Sequence, residues 1–332
     1  MSKFEHAHAA HCESGVMSSL LRHHGMPLSE AMVFGLANAL TFAYLPFLKL
    51  GGMPLIAYRS MPKSIIKTLT KNLKLSMKLE TFSNQQKGEE RLDALLAEGK
   101  IVGLQSSVFW LPYFPIEMRF HFNAHNLLVF AKEAQEYHIS DPVFEHTVTC
   151  QQKALTKARF VKGVMAPKGL LYYLESAPKQ RDLKPIIIKN IKKTAKTMLR
   201  TPVPIAGLRG VNYLAKSILK LQAKDIRYAK LFLGHIVRMQ EEIGTGGAGF
   251  RYIYASFLQE SALLFDNDAT LKEASKLMMQ VGDLWREFAL MIAKAIKSKE
   301  PLPLQQIAQK LLSISQEEAK VYEKMLTFSG KF

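Results

Sequence analysis

Between Ile101 and Leu174 short apolar runs are separated by prolines and polar turns, whereas from Pro185 onward apolar residues recur at helical spacing. Ile101–Leu104, Phe120–Phe122, His125–Phe130 and Tyr137–Ser140 read as strands, divided by Pro112, Pro115 and a polar turn about Glu133. Phe160–Met165 and Leu170–Leu174 read as one more pair. Helices are expected at 185–200, 210–221, 223–243, 250–265, 269–298 and 303–326, ended by Pro202, Pro204, Gly244–Gly249, Asp266–Asp268 and Pro301. Strands gathered in one part and helices in the other make an α+β chain. Its 332 residues are about two domains' worth. The pattern therefore predicts a mixed domain with an antiparallel sheet over 1–178 and an all-helical domain over 179–332.

Ahead of the strands, Cys12–His24 reads as a helix with Val16, Met17, Leu20 and Leu21 on one face and Gly25 at its stop. Pro27 and Ser29 open a second helix through Ala31–Leu40. Ala31–Leu48 carries no charge, which raises the question of a membrane span. Gly35, Asn38, Thr41 and Pro46 within it, with no flanking basic cluster, favour a buried helix followed by an apolar loop. Ser64–Leu79 and Gly88–Ala97 read as further helices.

Two cysteines exclude a disulfide scaffold and a four-cysteine zinc module. The first residues are polar and histidine-bearing, without an apolar signal core, so a reducing cytoplasm is the expected compartment. Charge is unevenly placed: residues 1–150 hold 14 Lys and Arg against 13 Asp and Glu, leaving +16 on the remainder. Arg181–Lys230 alone holds 13 basic residues against Asp182 and Asp225. Such a face suits nucleic acid, an anionic membrane or an acidic protein, and it also suits plain solvation.

Cys12 falls where a helix begins. Free N–H groups and the positive dipole end favour a thiolate there, and the same amides can hold an oxyanion. Papain-like cysteine enzymes use this placement, with the base on a later strand. A hairpin turning about residue 133 puts His125 opposite Asp141 on one face, with Cβ atoms about 4.5–5.5 Å apart. The carboxylate could then fix the imidazole tautomer while the other ring nitrogen meets the thiol. Singly, each residue has an ordinary structural reading; the three together favour a triad.

His11–Cys12–Glu13–Ser14, Gly25–Met26–Pro27–Leu28–Ser29–Glu30 and Val33–Phe34–Gly35–Leu36 resemble the N-terminal domain of the butirosin biosynthesis protein H family. Leu111–Pro112–Tyr113, His125 and Ile139–Ser140–Asp141–Pro142 follow in matching order. Gly244–Phe250, Arg251 and Tyr254 resemble the helical domain of unknown function that often follows it. The resemblance implies a papain-like fold and transfer of an acyl or aminoacyl group from an acyl carrier protein thioester to a small amine. Cys12 would accept the acyl group, His125 would act as base and then acid, and Asp141 would orient His125. It brings no cofactor beyond the phosphopantetheine arm of the acidic carrier, whose charge would suit the basic domain. A homodimer is compatible with it.

Other signals compete. Gly244-x-Gly246-x-x-Gly249 matches a dinucleotide fingerprint, but a helix, not a strand, precedes it. Gly246, Gly247 and Arg251 could instead touch a carrier phosphate, or the loop could be a tight interhelical turn. Trp110 and Tyr113 could line an acyl pocket or belong to the core. His6, His8, His11, His23 and His24 match no zinc spacing, so no metal is expected. Glu30 would cap its helix or bond a neighbouring turn, and Cys150 would be inert. A hydrolase of the same fold, and a non-enzymatic binder using the basic domain, are the alternatives to an acyltransferase. No nucleic-acid motif favours the binder.

Overall fold

The computed structural model describes residues 4–330. The chain divides into two compact units: residues up to Val33 with Ile65–Arg181, and Phe34–Ser64 with Asp182 onward. This differs from a single cut after residue 178, because Phe34–Ser64 counts with the helices. The reason lies in a segment the sequence reading assigned to helix and loop. Helix α2 (Glu30–Leu36) stops early, and Leu40–Leu50 is strand β1, paired with β2 (Met53–Arg59) across a turn at Gly51 and Gly52. Both glycines have positive φ, 60° and 83°, which suits them to so tight a reversal. Among the described residues no helix is long and apolar enough to cross a membrane.

The first unit is built on a six-stranded antiparallel sheet. In chain order its strands are β3 (Met77–Glu80), β4 (Val102–Ser106), β5 (His125–Glu133), β6 (Glu136–Ser140), β7 (Val148–Gln151) and β8 (Leu171–Leu174). In space they run β3-β8-β4-β5-β6-β7. One face carries Val102, Leu104, Leu127, Val129, Tyr137, Ile139 and Leu171. These pack under Leu92 and Leu95 of α4 (Gln85–Ala97) and Leu155 and Ala158 of α5 (Gln152–Arg159). The other face presents Asn126 and Tyr172 to α1 (Cys12–His23). The expected strands at Phe120–Phe122 and Phe160–Met165 are irregular turns. The expected helix at Ser64–Leu79 stops at Leu73 as α3 (Ser64–Leu73), leaving Met77–Glu80 to the sheet.

The second unit holds the β1–β2 hairpin and six helices, α6 (Lys184–Arg200), α7 (Gly207–Leu219), α8 (Ile226–Val237), α9 (Arg251–Leu264), α10 (Ala269–Lys297) and α11 (Leu304–Thr327). These follow the predicted spans closely, because each is amphipathic and punctuated by caps such as Asp225 and Asp268. A π-helical turn, Arg238–Glu242, extends α8.

Candidate active site

Cys12 is the first residue of α1 and only 7% exposed. His11 caps the helix, its backbone extended and its Nδ1 accepting from the Ser14 amide at 3.3 Å. Glu30 accepts from the amides of Ala10 (2.9 Å) and His11 (2.7 Å) and from Ser14 Oγ (3.0 Å). Burial raises the Glu30 carboxyl above its ordinary value, with these hydrogen bonds opposing it. Glu13 turns away from the thiol and accepts from the Ile65 and Ile66 amides at the start of α3. The nucleophile's turn is thus tied down on both sides by carboxylates.

Close packing brings α1 to the Asp141–Pro142 turn. Gly15, one helical turn after His11, lies where a Cβ would stand 2.6 Å from Ala9 Cβ and 2.8 Å from Pro142 Cβ. Ala9 itself donates to the Pro142 carbonyl at 2.7 Å. His6 bonds Ser140 Oγ (2.7 Å) and the Phe144 carbonyl (2.9 Å), stapling the preceding segment to the same turn. Gly15→Ala is therefore expected to push α1 off this turn, destabilising the protein by about 1–3 kcal/mol. A shift of that kind misplaces the thiol and slows its acylation by roughly 10²-fold. Thermal unfolding alongside the acylation rate checks this; an unchanged rate would show that the contact does not position Cys12.

His125 begins β5, opposite Ser106 at the end of the ladder. Its Nε2 is 2.7 Å from Asp141 Oδ2, which leaves Nδ1 for the thiol of Cys12, a neighbour that favours the imidazolium. Asp141 is fully buried, and it also accepts from Tyr113 Oη (2.9 Å) and the Val143 amide (3.2 Å). The edge of Phe114 covers the imidazole. Burial works against the imidazolium, but the Asp141 charge and hydrogen bond, helped by Cys12, outweigh it and push His125 up to about 10. Chemically, this is a ring able to take a thiol proton, hold it through neutral pH and return it to a leaving atom.

The register that brings Asp141 here is not the predicted one. The hairpin turns at Ala134–Gln135, with Ala134 at φ 51°, and Phe130 is bulged out between Val129↔Ile139 and Ala131↔His138. Continued past Leu128↔Ser140, the ladder sets Asp141 opposite Leu127, one diagonal from His125 on the same face.

Other sequence candidates fall elsewhere. Tyr113 donates to Asp141 rather than lining a pocket, and burial, then Asp141, raises its hydroxyl well above the ordinary value. Trp110 packs at the edge of the core with Lys157 Nζ 3.4 Å over its ring. In the helical unit, Arg251 is fully buried, with its guanidinium on Glu318 and the Gly249 carbonyl. It is no phosphate ligand. The loop holding Gly246 and Gly247 does cup an anion, but an internal one: the Ala248 amide donates to the Glu241 carboxylate, and the Gly247 amide to Thr245 Oγ1. Cys150 is buried in β7, and burial, with Glu136, pushes its thiol up to about 12. Among the described residues no three His, Cys, Asp or Glu side chains gather as a metal site. The neighbour that sequence reasoning missed is Asn126, whose Nδ2 lies 3.9 Å from Cys12 Sγ.

A cysteine at the head of a helix, laid on an antiparallel sheet that presents a histidine and an aspartate, defines a papain-like cysteine-enzyme fold. Residues 11–142 match the family model for the butirosin biosynthesis protein H N-terminal domain. Residues 153–325, more than half of the chain, match that of a domain of unknown function (DUF4872). The chain belongs to the family of that second domain, and it carries the first domain ahead of it. Among solved structures, the crystal structure of a protein described as a C39-like peptidase from Bacillus anthracis aligns with 53% of this chain and 97% of its own. The identity is 13% and the TM-score 0.38. No curated protein matches.

Proposed function

We propose that this protein is a cysteine acyltransferase that takes an acyl or aminoacyl group from a carrier-bound thioester and passes it to a small amine through a Cys12 thioester. The observation that carries the reading is the buried His125–Asp141 pair set against the Cys12 thiol at the head of α1. Cys12 Sγ attacks the donor carbonyl, its proton passing to His125 Nδ1. The tetrahedral intermediate collapses, the carrier thiol leaves with that proton, and the acyl group remains on Cys12. The amine then attacks the new thioester, giving a proton to His125, and Cys12 is released as the amide forms. Asp141 keeps the imidazole oriented throughout. An acidic carrier with a phosphopantetheine arm suits the 13 basic residues of Arg181–Lys230 as a donor.

Intact-protein mass spectrometry with a panel of acyl carrier thioesters tests the proposal. An added acyl mass is expected on the wild type, absent in Cys12→Ser, and lost when amines are offered. Loss of the adduct to water alone would make the protein a hydrolase, and no adduct from any thioester would overturn the acyl-enzyme reading.

A further inference from the structure

Resting on the acyl-enzyme reading, the geometry points to the side chains that receive the acyl group: we propose that Asn126 donates to the carbonyl oxygen as it becomes an oxyanion, with Tyr172 as its positioning residue. Beside it, Gln105 binds a neutral polar substituent of the acyl chain.

Asn126 is fully buried in β5, and the two ends of its amide are fixed differently. Oδ1 accepts from Tyr172 Oη at 3.1 Å. Burial, then the nearby Glu13 and Cys12, keeps that phenol protonated and therefore a donor. Nδ2 accordingly points the other way, donating to the Ala124 carbonyl at 3.1 Å and lying 3.9 Å from Cys12 Sγ. That separation is long for a contact with sulfur. An oxygen on the acyl carbon, two bonds from the sulfur, can come well inside it. Oxyanion donors are effective when they are fixed about 2.7–3.1 Å from the charge that develops. The amide of Cys12 itself, at the first position of α1, is the natural second donor.

Gln105 is the ladder partner of Asn126, so the two side chains share the face under α1. It is 1% exposed, and neither its Oε1 nor its Nε2 has a hydrogen-bond partner among the described residues. Ser106, the next residue, turns its side chain to the opposite face with its ladder partner His125, so Gln105 stands apart from it. A buried amide left unpaired is costly, and that of Gln105 is uncharged. It fits a neutral group able to give and accept hydrogen bonds, a hydroxyl or an amide within a few atoms of the thioester carbonyl. A purely alkyl chain would leave it unsatisfied.

The test compares two reactions of the same thiol. Alkylation of Cys12 by iodoacetamide forms no oxyanion, whereas acylation by butyryl or 3-hydroxybutyryl carrier thioester does. Asn126→Ala is expected to slow acylation by roughly 10²–10³-fold while alkylation stays within about twofold. Tyr172→Phe should slow acylation by about tenfold, again sparing alkylation. Gln105→Leu should abolish a preference for the hydroxybutyryl over the butyryl donor, bringing the ratio of the two acylation rates to about one. Equal acylation by Asn126→Ala and wild type would overturn the oxyanion role. An equal slowing of both reactions would make Asn126 a support for the thiol instead. No preference for the hydroxybutyryl donor in the wild type would overturn the role given to Gln105. Failure of the wild type to acylate with any donor would be a failure of the acyl-enzyme reading, a result distinct from all of these.

Discussion

Asp141→Asn is expected to lower the rate of Cys12 acylation by about 10³–10⁴-fold without unfolding the protein. The replacement has the same shape, but it cannot satisfy the same partners. Wild-type Asp141 accepts from His125 Nε2, Tyr113 Oη and the Val143 amide, three donors on one carboxylate. An asparagine has one acceptor oxygen and must turn an NH2 toward at least one of them, which favours the wrong imidazole tautomer. It also removes the charge that does most to raise His125 against its burial, so His125 should drop well below about 10. The sign for stability follows. A histidine raised by folding stabilises fully below its unfolded value, and that stabilisation is lost as pH climbs through about 10. In wild type, melting temperature should therefore fall between about pH 6.5 and 10. In Asp141→Asn that fall should be much smaller, and the alkaline limb of the acylation profile should move to lower pH. A limb that stays near 10 in the variant would show that another group holds the proton.

Asp141 was legible in the sequence for a reason that survives a wrong register. Centring the hairpin on residue 133 misplaces Asp141 by two residues, and a two-residue slip leaves a side chain on the same face. A one-residue slip would have reversed it. That smaller error is what the β-bulge prevents: without the extra Phe130, the Ala131↔His138 register would carry Asp141 opposite Leu128, facing away from His125. Nothing in the apolar run Leu127–Phe130 announces the bulge, because it is a property of two strands and their turn together. The helices of the second unit were legible because caps and amphipathic spacing are local. Strand β1 was not, since an uncharged run with Gly35 and Pro46 nearby has no period of its own until β2 pairs with it. Asn126 and Gln105 did leave a signal: each is a polar residue in or at the end of an otherwise apolar strand. Read as a buried-strand anomaly, either would have pointed to the site. The Gly244–Gly249 loop misled for the opposite reason. Glycines show that a backbone can approach an anion closely, and they say nothing of whether Glu241 already supplies it.

The same internal use of charge sets up the largest expected loss of stability. Arg251 and Glu318 are both fully buried, and Glu318 accepts from Arg251 Nε (3.1 Å) and Nη2 (2.9 Å), from Trp285 Nε1 (3.0 Å) and from Tyr322 Oη. Arg251 in turn donates to the Gly249 carbonyl at 2.7 Å and lies against the faces of Trp285 and Tyr58. Burial lowers the guanidinium's affinity for its proton, and Glu318 more than restores it, so Arg251 stays charged. Removing one member of such a pair strands the other in a low dielectric, a cost of about 3–5 kcal/mol. Glu318→Leu is accordingly expected to lower the melting temperature of the helical unit by roughly 6–20 °C. Arg251→Met in the same background should recover much of that loss, since an apolar replacement of both partners leaves no uncompensated charge. Thermal melts of the two single variants and the double variant form the decisive cycle. A double variant no more stable than Glu318→Leu would mean that the carboxylate matters for its bonds to Trp285 and Tyr322, and not for neutralising Arg251.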